Sequence, residues 1–298
     1  MFLGYLLGKT KLFPEGAGAA KSLSTFVWYV AIPALFFKLM ASNSLPNITE
    51  LSWVVTYYIC LYIVYFSAYL IIAPLIGIPT TGRGVFAFTT CFGNIGFIGI
   101  SIVQQLFGDE GIRQILLIIS FHMVSLMLVS VLLTEISKTS RKRIFTIVGS
   151  TGLALTKNPI IVTLFISVAW SASGLGIPQW VMRLIELPAA SAAPVGLFAV
   201  GLSLSRVPVK GIRLQAFSAL AMKLILLPIL VYVSFRWIIQ ADSMAINLAT
   251  IAACMPTGMA AYTFAQQMDY GEKATAATIL IGTLLSMFTL TIALSFLV

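Results

Sequence analysis

The stretch Cys91-Phe-Gly-Asn-Ile-Gly-Phe-Ile-Gly99 decides how this chain folds. It lies within an apolar run at about 84–107, long enough to cross a bilayer as one helix. Gly93, Gly96 and Gly99 each cost such a helix about 1 kcal/mol relative to alanine, and Asn94 stands among them. The run therefore predicts a membrane helix that breaks partway. A second such place is Cys254-Met-Pro-Thr-Gly258, where Pro256 removes a backbone donor and clashes with the preceding turn. One interruption alone has a bland reading, close packing through small residues. Two interruptions at matching positions of a repeat point instead to a substrate site at mid-membrane.

The positions do match. Gly96-Phe-Ile-Gly-Ile-Ser-Ile-Val-Gln-Gln105 aligns with Gly258-Met-Ala-Ala-Tyr-Thr-Phe-Ala-Gln-Gln267 at an offset of 162 residues. Upstream, Pro33-Ala-Leu-Phe36 aligns with Pro194-Val-Gly-Leu-Phe198 at 161 to 162, with one residue inserted. Apolar spans fall at about 22–41, 51–76, 84–107, 112–134, 158–175, 178–205, 214–238, 243–268 and 274–297, after a short fragment at 1–7. Five spans per copy is an odd number, so the second copy enters the membrane from the opposite side. The mate of 158–175 would begin before residue 1, so the first helix is expected to lack its beginning. The expected architecture is an all-α membrane protein of ten transmembrane helices, the first truncated. These form two inverted five-helix repeats with broken, crossing helices 4 and 9. The first repeat covers 1–134, a basic cytoplasmic connection 135–157, and the second, inverted repeat 158–298.

Composition demands the same solvent. Of 298 residues only 9% are charged, against about 25% in ordinary soluble domains, and 59% are hydrophobic. The mean hydropathy of +1.02 is more than a soluble globule of this size could bury. A cytosolic enzyme, a nucleic-acid-binding protein and a secreted domain are excluded together. The spans lack the polar–apolar alternation of a membrane barrel, and the short apolar start lacks the basic leader of a cleavable signal. Cys60, Cys91 and Cys254 sit in apolar runs at no metal-ligand spacing, and the chain has one histidine, so no metal or other cofactor is expected. Taken alternately, one set of connections holds thirteen Lys and Arg, among them Lys138, Arg141, Lys142, Arg143 and Lys157. The other holds Lys38, Arg113, Arg183 and Arg236. The first set therefore faces the cytoplasm, and both termini lie outside the cell membrane.

The chemistry of the breaks favours an anion. Where a helix restarts at mid-depth, its first turn presents free N–H groups and a partial positive charge. Two such ends suit a carboxylate, with Asn94 and Thr257 adding neutral donors. Gly93, Ile95, Gly96, Pro256 and Gly258 complete the expected substrate-binding set. No Asp or Glu stands near either break, which argues against a cation as the main cargo. Three further residues are candidates for coupling or gating, each with a plainer alternative. Lys223, inside a span, is a functional ionisable group or a side chain that snorkels to the interface. His122 is a proton relay or is packed and hydrogen-bonded in place. Lys38 attracts anions at the outer mouth or marks a helix end. Arg183 and Glu186, three apart, are expected to form a structural ion pair.

Three passages together resemble the auxin efflux carrier family in its short bacterial form, without a long hydrophilic central loop. They are Tyr29-Val-Ala-Ile-Pro-Ala-Leu-Phe-Phe37, then Asn158-Pro-Ile-Ile161 running on to Ala193-Pro-Val-Gly-Leu-Phe-Ala-Val-Gly-Leu-Ser-Leu204, then the pair of broken helices. The resemblance implies ten helices in two inverted repeats and a crossover at the unwound fourth and ninth. It also implies a scaffold of helices 1, 2, 6 and 7 with a moving group of 3–5 and 8–10, a fold shared with sodium–bile acid symporters. Its members carry organic acid anions: auxin in plants, dicarboxylates such as malate or malonate in bacteria. Ser101 and Ala260 depart from the family pattern, which often has Pro and Asn there. The expected function is secondary active transport of a small mono- or dicarboxylate or an auxin-like acid, bound at the mid-membrane crossover, with a proton or sodium as coupling ion and a homodimer through the scaffold helices. A sodium-coupled symporter of the bile acid type is the alternative, although the spans offer few carboxylates for a cation cage. An intramembrane enzyme lacks its motifs, since there is no His-Glu-x-x-His, no aspartate pair and no Ser/His pair. A channel lacks its continuous polar stripe.

Overall fold

The computed structural model of the chain describes residues 2–10, 16–41, 47–138, 159–205 and 213–297. Residues 139–157 of the expected basic connection lie outside the described residues. Those described are helical nearly throughout, joined by turns and one extended bridge. Among them, six helices are long and apolar enough to cross a bilayer: Gly18–Lys38, Ile48–Leu75, Ile95–Thr134, Gln179–Leu202, Leu214–Ile238 and Glu272–Leu297.

Six are found where ten spans are expected: two of the expected spans are interrupted, and the described helices Phe2–Gly8 and Pro159–Ala172 are too short to cross. The fourth span stops as a helix at Cys91, and the ninth stops at Cys254. The helix Ile100–Lys138 carries a non-helical Gly108 (φ 60°, ψ −153°), a conformation open only to glycine, where the sequence places the join of spans four and five. We number the helices α1 Phe2–Gly8, α2 Gly16–Phe26, α3 Ile32–Ala41, α4 Ile48–Ser67, α5 Thr80–Cys91, α6 Ile100–Lys138 and α7 Pro159–Ala172. There follow α8 Gln179–Leu204, α9 Arg213–Ala221, α10 Leu227–Val233, α11 Ser243–Cys254, α12 Ala260–Gln267 and α13 Glu272–Leu297.

The chain divides into two compact units. The first comprises Met1–Glu50, Gly96–Ser120 and Ala154–Val207. Here α8 packs against α1, α2 and α3. Gly4 and Gly8 allow the close approach, because a Cβ on Gly4 would press on the backbone of Phe198 and lie 3.1 Å from Leu202 N. Asn47 caps α4: its side chain accepts from the Glu50 amide at 2.8 Å, and Glu50 accepts from the Asn47 amide at 2.9 Å. Buried Glu50 also accepts from buried Arg113, which reaches Glu110 at 3.3 Å. Arg113 thus sits within a helix and is paired, although its place in the sequence suggests an outer connection. Glu186 pairs with Lys38 at 3.9 Å, and among the described residues no Arg183–Glu186 pair forms. The long lysine side chain reaches across helices where the expected partner three residues away does not.

Removing Glu50 leaves Arg113 with only the more exposed Glu110 and uncaps the start of α4 as well. Glu50→Ala is expected to cost about 3 kcal/mol of stability, read as an earlier thermal unfolding transition in detergent. Glu50→Leu combined with Arg113→Met, which removes both charges, is expected to recover most of that loss.

The second unit comprises Leu51–Ile95, Phe121–Leu153 and Pro208–Val298. Its core holds Tyr57, Tyr65, Phe88, Phe235 and Phe264, all fully buried. Two hydroxyl pairs form inside it: Tyr65 with Ser130 at 2.7 Å and Thr89 with Thr275 at 3.0 Å. Between α9 and α10 the helix widens into a π turn at Met222–Leu226. By membership, spans 1, 2, 6 and 7 fall in the first unit and spans 3, 8, 9 and 10 in the second. The segment Gly96–Ser120 goes with the first, so spans four and five are each shared between units.

Candidate functional site

Two helices of the second unit, α5 and α11, end in extended backbone, at Phe92 (φ −70°, ψ 103°) and Met255 (φ −62°, ψ 137°). These ends pair with each other. Gly93 and Thr257 form an antiparallel bridge, flanked by Asn94 N–H donating to the Pro256 carbonyl at 2.7 Å and Gly258 N–H donating to the Phe92 carbonyl at 3.0 Å. Pro256 fits because its place in the bridge needs only an acceptor. A side chain on either glycine would press on the site, more severely at Gly258 than at Gly93. A Cβ on Gly93 would lie 3.2 Å from Lys223 Nζ, and one on Gly258 would lie 2.7 Å from the Phe92 ring.

In this register the two bonds flank the Gly93–Thr257 pair, so the amides of those two residues point away from the bridge. Gly93 N–H donates to His122 Nε2 at 2.9 Å. A backbone amide only donates, so Nε2 is bare and the neutral ring carries its proton on Nδ1. Nδ1 is buried and has no hydrogen-bond partner among the described residues, and the same holds for the Tyr57 hydroxyl. The imidazole lies against Phe92, with ring centroids 5.2 Å apart, and against Tyr57 and Tyr58 at 6.4 Å. In this structure His122 is packed and hydrogen-bonded through Nε2.

Thr257 Oγ1 donates to the Thr89 carbonyl at 3.0 Å, so that hydroxyl ties the bridge to α5 rather than offering its proton. The Thr257 amide has no partner among the described residues. Asn94 is 5% exposed, and its side-chain amide makes no hydrogen bond among the described residues. Lys223, in the π turn, is 0% exposed and donates to the Ala253 carbonyl at 3.0 Å. It does not snorkel. No carboxylate among the described residues pairs with it, since every ion pair described lies in the first unit.

The structure therefore gathers Gly93, Asn94, Ile95, Pro256, Thr257, Gly258, His122 and Lys223 within one unit. Gly96 falls in the first unit, where a Cβ would meet Ile32 and Trp28 at 3.7 Å. Lys38 is also there, engaged with Glu186. Sequence reasoning missed Tyr57 and Thr89. Their signal was a hydrogen-bonding group inside an apolar run, one turn or less from another such group (Tyr58 and Thr90). Chemically, the cluster offers neutral donors and one ammonium and can hold a negatively charged group.

Residues 1–294 match the family described as "Membrane transport protein". The chain is 28% identical over 291 residues to a "putative malonate transporter" of Rhizobium meliloti, covering 98% of this chain and 90% of that protein. It is 23% identical over 274 residues to an uncharacterized transporter of Methanocaldococcus jannaschii, covering 90% and 86%. It is 24% identical over 305 residues to the lysosomal cholesterol signaling protein of Mus musculus, covering 95% of this chain and 34% of that one.

Proposed function

The chain belongs to the membrane transport protein family, and from that premise we propose that it is a secondary transporter of small organic acid anions held at the Gly93–Thr257 crossover. One observation carries the reading: two helices break at the same place, and the donors left there, the Asn94 amide and Thr257 N–H beside the Lys223 ammonium, have no acidic partner. A carboxylate supplies what they lack. Gly93, Ile95, Pro256 and Gly258 bring the backbones close, and Gly96 belongs to the same broken stretch. The substrate class is mono- and dicarboxylates, with malonate foremost from the name of the Rhizobium meliloti relative and auxin-like acids from the family resemblance.

The bridge register supports two inverted five-helix repeats, 1–134 and 158–298, within ten spans. In the antiparallel pairing Asn94 lies opposite Pro256, and these two are equivalents at the offset of 162 residues. A local two-fold axis brings a residue opposite its own equivalent. In this reading both termini lie outside the cell membrane, the 135–157 connection is cytoplasmic, and helices 1, 2, 6 and 7 form the scaffold and the homodimer contact. The remaining helices carry the anion by an elevator or rocking motion.

Reconstitution tests the reading. Purified protein in proteoliposomes is expected to take up radiolabelled malonate, malate or acetate saturably, with unlabelled acids competing. Uptake driven by an imposed pH gradient identifies a proton as coupling ion, and uptake that requires sodium identifies the bile acid type of symport. Absence of uptake for every carboxylate tested, indole-3-acetate included, would overturn the proposal.

A further inference from the structure

We propose that Lys223 is the specificity-determining charge of the crossover, a built-in cation that makes the site select anions without an inorganic ion. This inference rests on the reading above and assigns the role of one residue within it. A broken helix presents two opposite dipole ends, a negative carboxyl end before the break and a positive amide end after it. Two broken helices meeting together sum to no preference for either sign. Here the balance is tipped. The Lys223 ammonium donates to Ala253, next to the last residue of α11, so it neutralises the carboxyl end of that helix. The same nitrogen stands 3.2 Å from where a Cβ on Gly93 would lie, so it also faces the stretch that follows the carboxyl end of α5. With the negative ends countered, the free donors, Asn94 and the Thr257 amide, set the sign of the site.

Burial makes this more than a cap. An ammonium has three protons, and the described residues supply an acceptor for one of them, the Ala253 carbonyl. A wholly buried charge with no carboxylate beside it is costly unless something else completes its shell. Neighbouring groups do not provide that charge. His122 turns its bare nitrogen to Gly93, and Cys91 and Cys254 are free thiols. The ligand's carboxylate is the missing partner. A sodium ion at this spot would meet the like charge of the ammonium.

The test is uptake of radiolabelled malonate by the full chain in proteoliposomes with choline as the external cation. Wild type is expected to transport without sodium, and Lys223→Arg to keep more of the wild-type affinity than Lys223→Gln does, since a guanidinium keeps the charge. Lys223→Gln, which can still donate to Ala253, is expected to raise KM about 30-fold with a smaller change in Vmax, the scale of one lost charge-assisted hydrogen bond. An unchanged KM in Lys223→Gln overturns the inference and leaves the transport reading standing. Wild-type uptake of none of the carboxylates overturns both. If Lys223→Gln does not fold, two wild-type measurements decide. Sodium-independent uptake and indifference to malonamide, the neutral analogue, support the inference. A strict sodium requirement, or inhibition by malonamide as strong as by unlabelled malonate, overturns it.

Discussion

Leucine in place of Gly258 is expected to abolish uptake. The first added carbon would lie 2.7 Å from Phe92 Cε1 and 3.5 Å from the Asn94 backbone. Phe92 cannot swing aside freely, because it stacks on Phe88 at 5.0 Å on one side and on His122 at 5.2 Å on the other. The leucine must therefore displace the bond from Gly258 N–H to the Phe92 carbonyl, and with it the bridge. Overpacking of this kind costs about 1–3 kcal/mol, which lowers the unfolding temperature without preventing folding. Transport is expected to fall at least about 100-fold, because a displacement of about 1 Å at a positioned site costs that much. Gly258→Ala should fall between, since its methyl meets the same ring without the added branch. Proteoliposome uptake and thermal unfolding, measured on the same preparations, check both parts. Normal uptake by the leucine variant would reduce the break to a packing device.

Alanine in place of Asn94 tests the opposite combination, function lost with the fold intact. The Asn94 side-chain amide bonds to nothing among the described residues, so its removal breaks no protein hydrogen bond. The backbone bond from Asn94 N–H to the Pro256 carbonyl stays. Unfolding without ligand should thus match wild type. Affinity for the anion should fall about 10- to 100-fold, the worth of a hydrogen bond to a charged group. Stabilisation by increasing malonate measures this directly, because a ligand raises the unfolding temperature in proportion to the logarithm of its concentration over Kd. Stabilisation equal to wild type would remove Asn94 from the site.

Much of this arrangement can be read from the chain before any coordinates. Glycine and proline act on their own backbone, so Gly93, Gly96, Gly99 and Pro256 announce the breaks wherever they stand. The offset of 162 residues then links one break to the other. Side-chain partners are a different matter, because they depend on which helices become neighbours. Nothing local says that His122 will accept from Gly93, 29 residues away, or that Lys223 will reach Ala253, 30 away. Lys223 had two readings because its stem is long enough to reach an interface, and in the structure that stem is buried in the π turn. Arg113 is counted with the connections from its place at the edge of a span, whereas Glu50, 63 residues away, holds it inside. Gly96 belongs to the broken stretch by sequence but to the first unit by packing, since the chain passes between units after Ile95.

The most direct test is to locate the anion. A structure of the full chain soaked with bromomalonate, with the bromine found by anomalous scattering, places the ligand without reference to mutants. The account predicts a single strong site in the second unit, with a carboxylate oxygen about 3 Å from the Asn94 side-chain nitrogen and the other carboxylate oxygens facing Thr257 N–H and Lys223. A bromine bound only away from Asn94, Thr257 and Lys223, with the crossover unchanged, would contradict it.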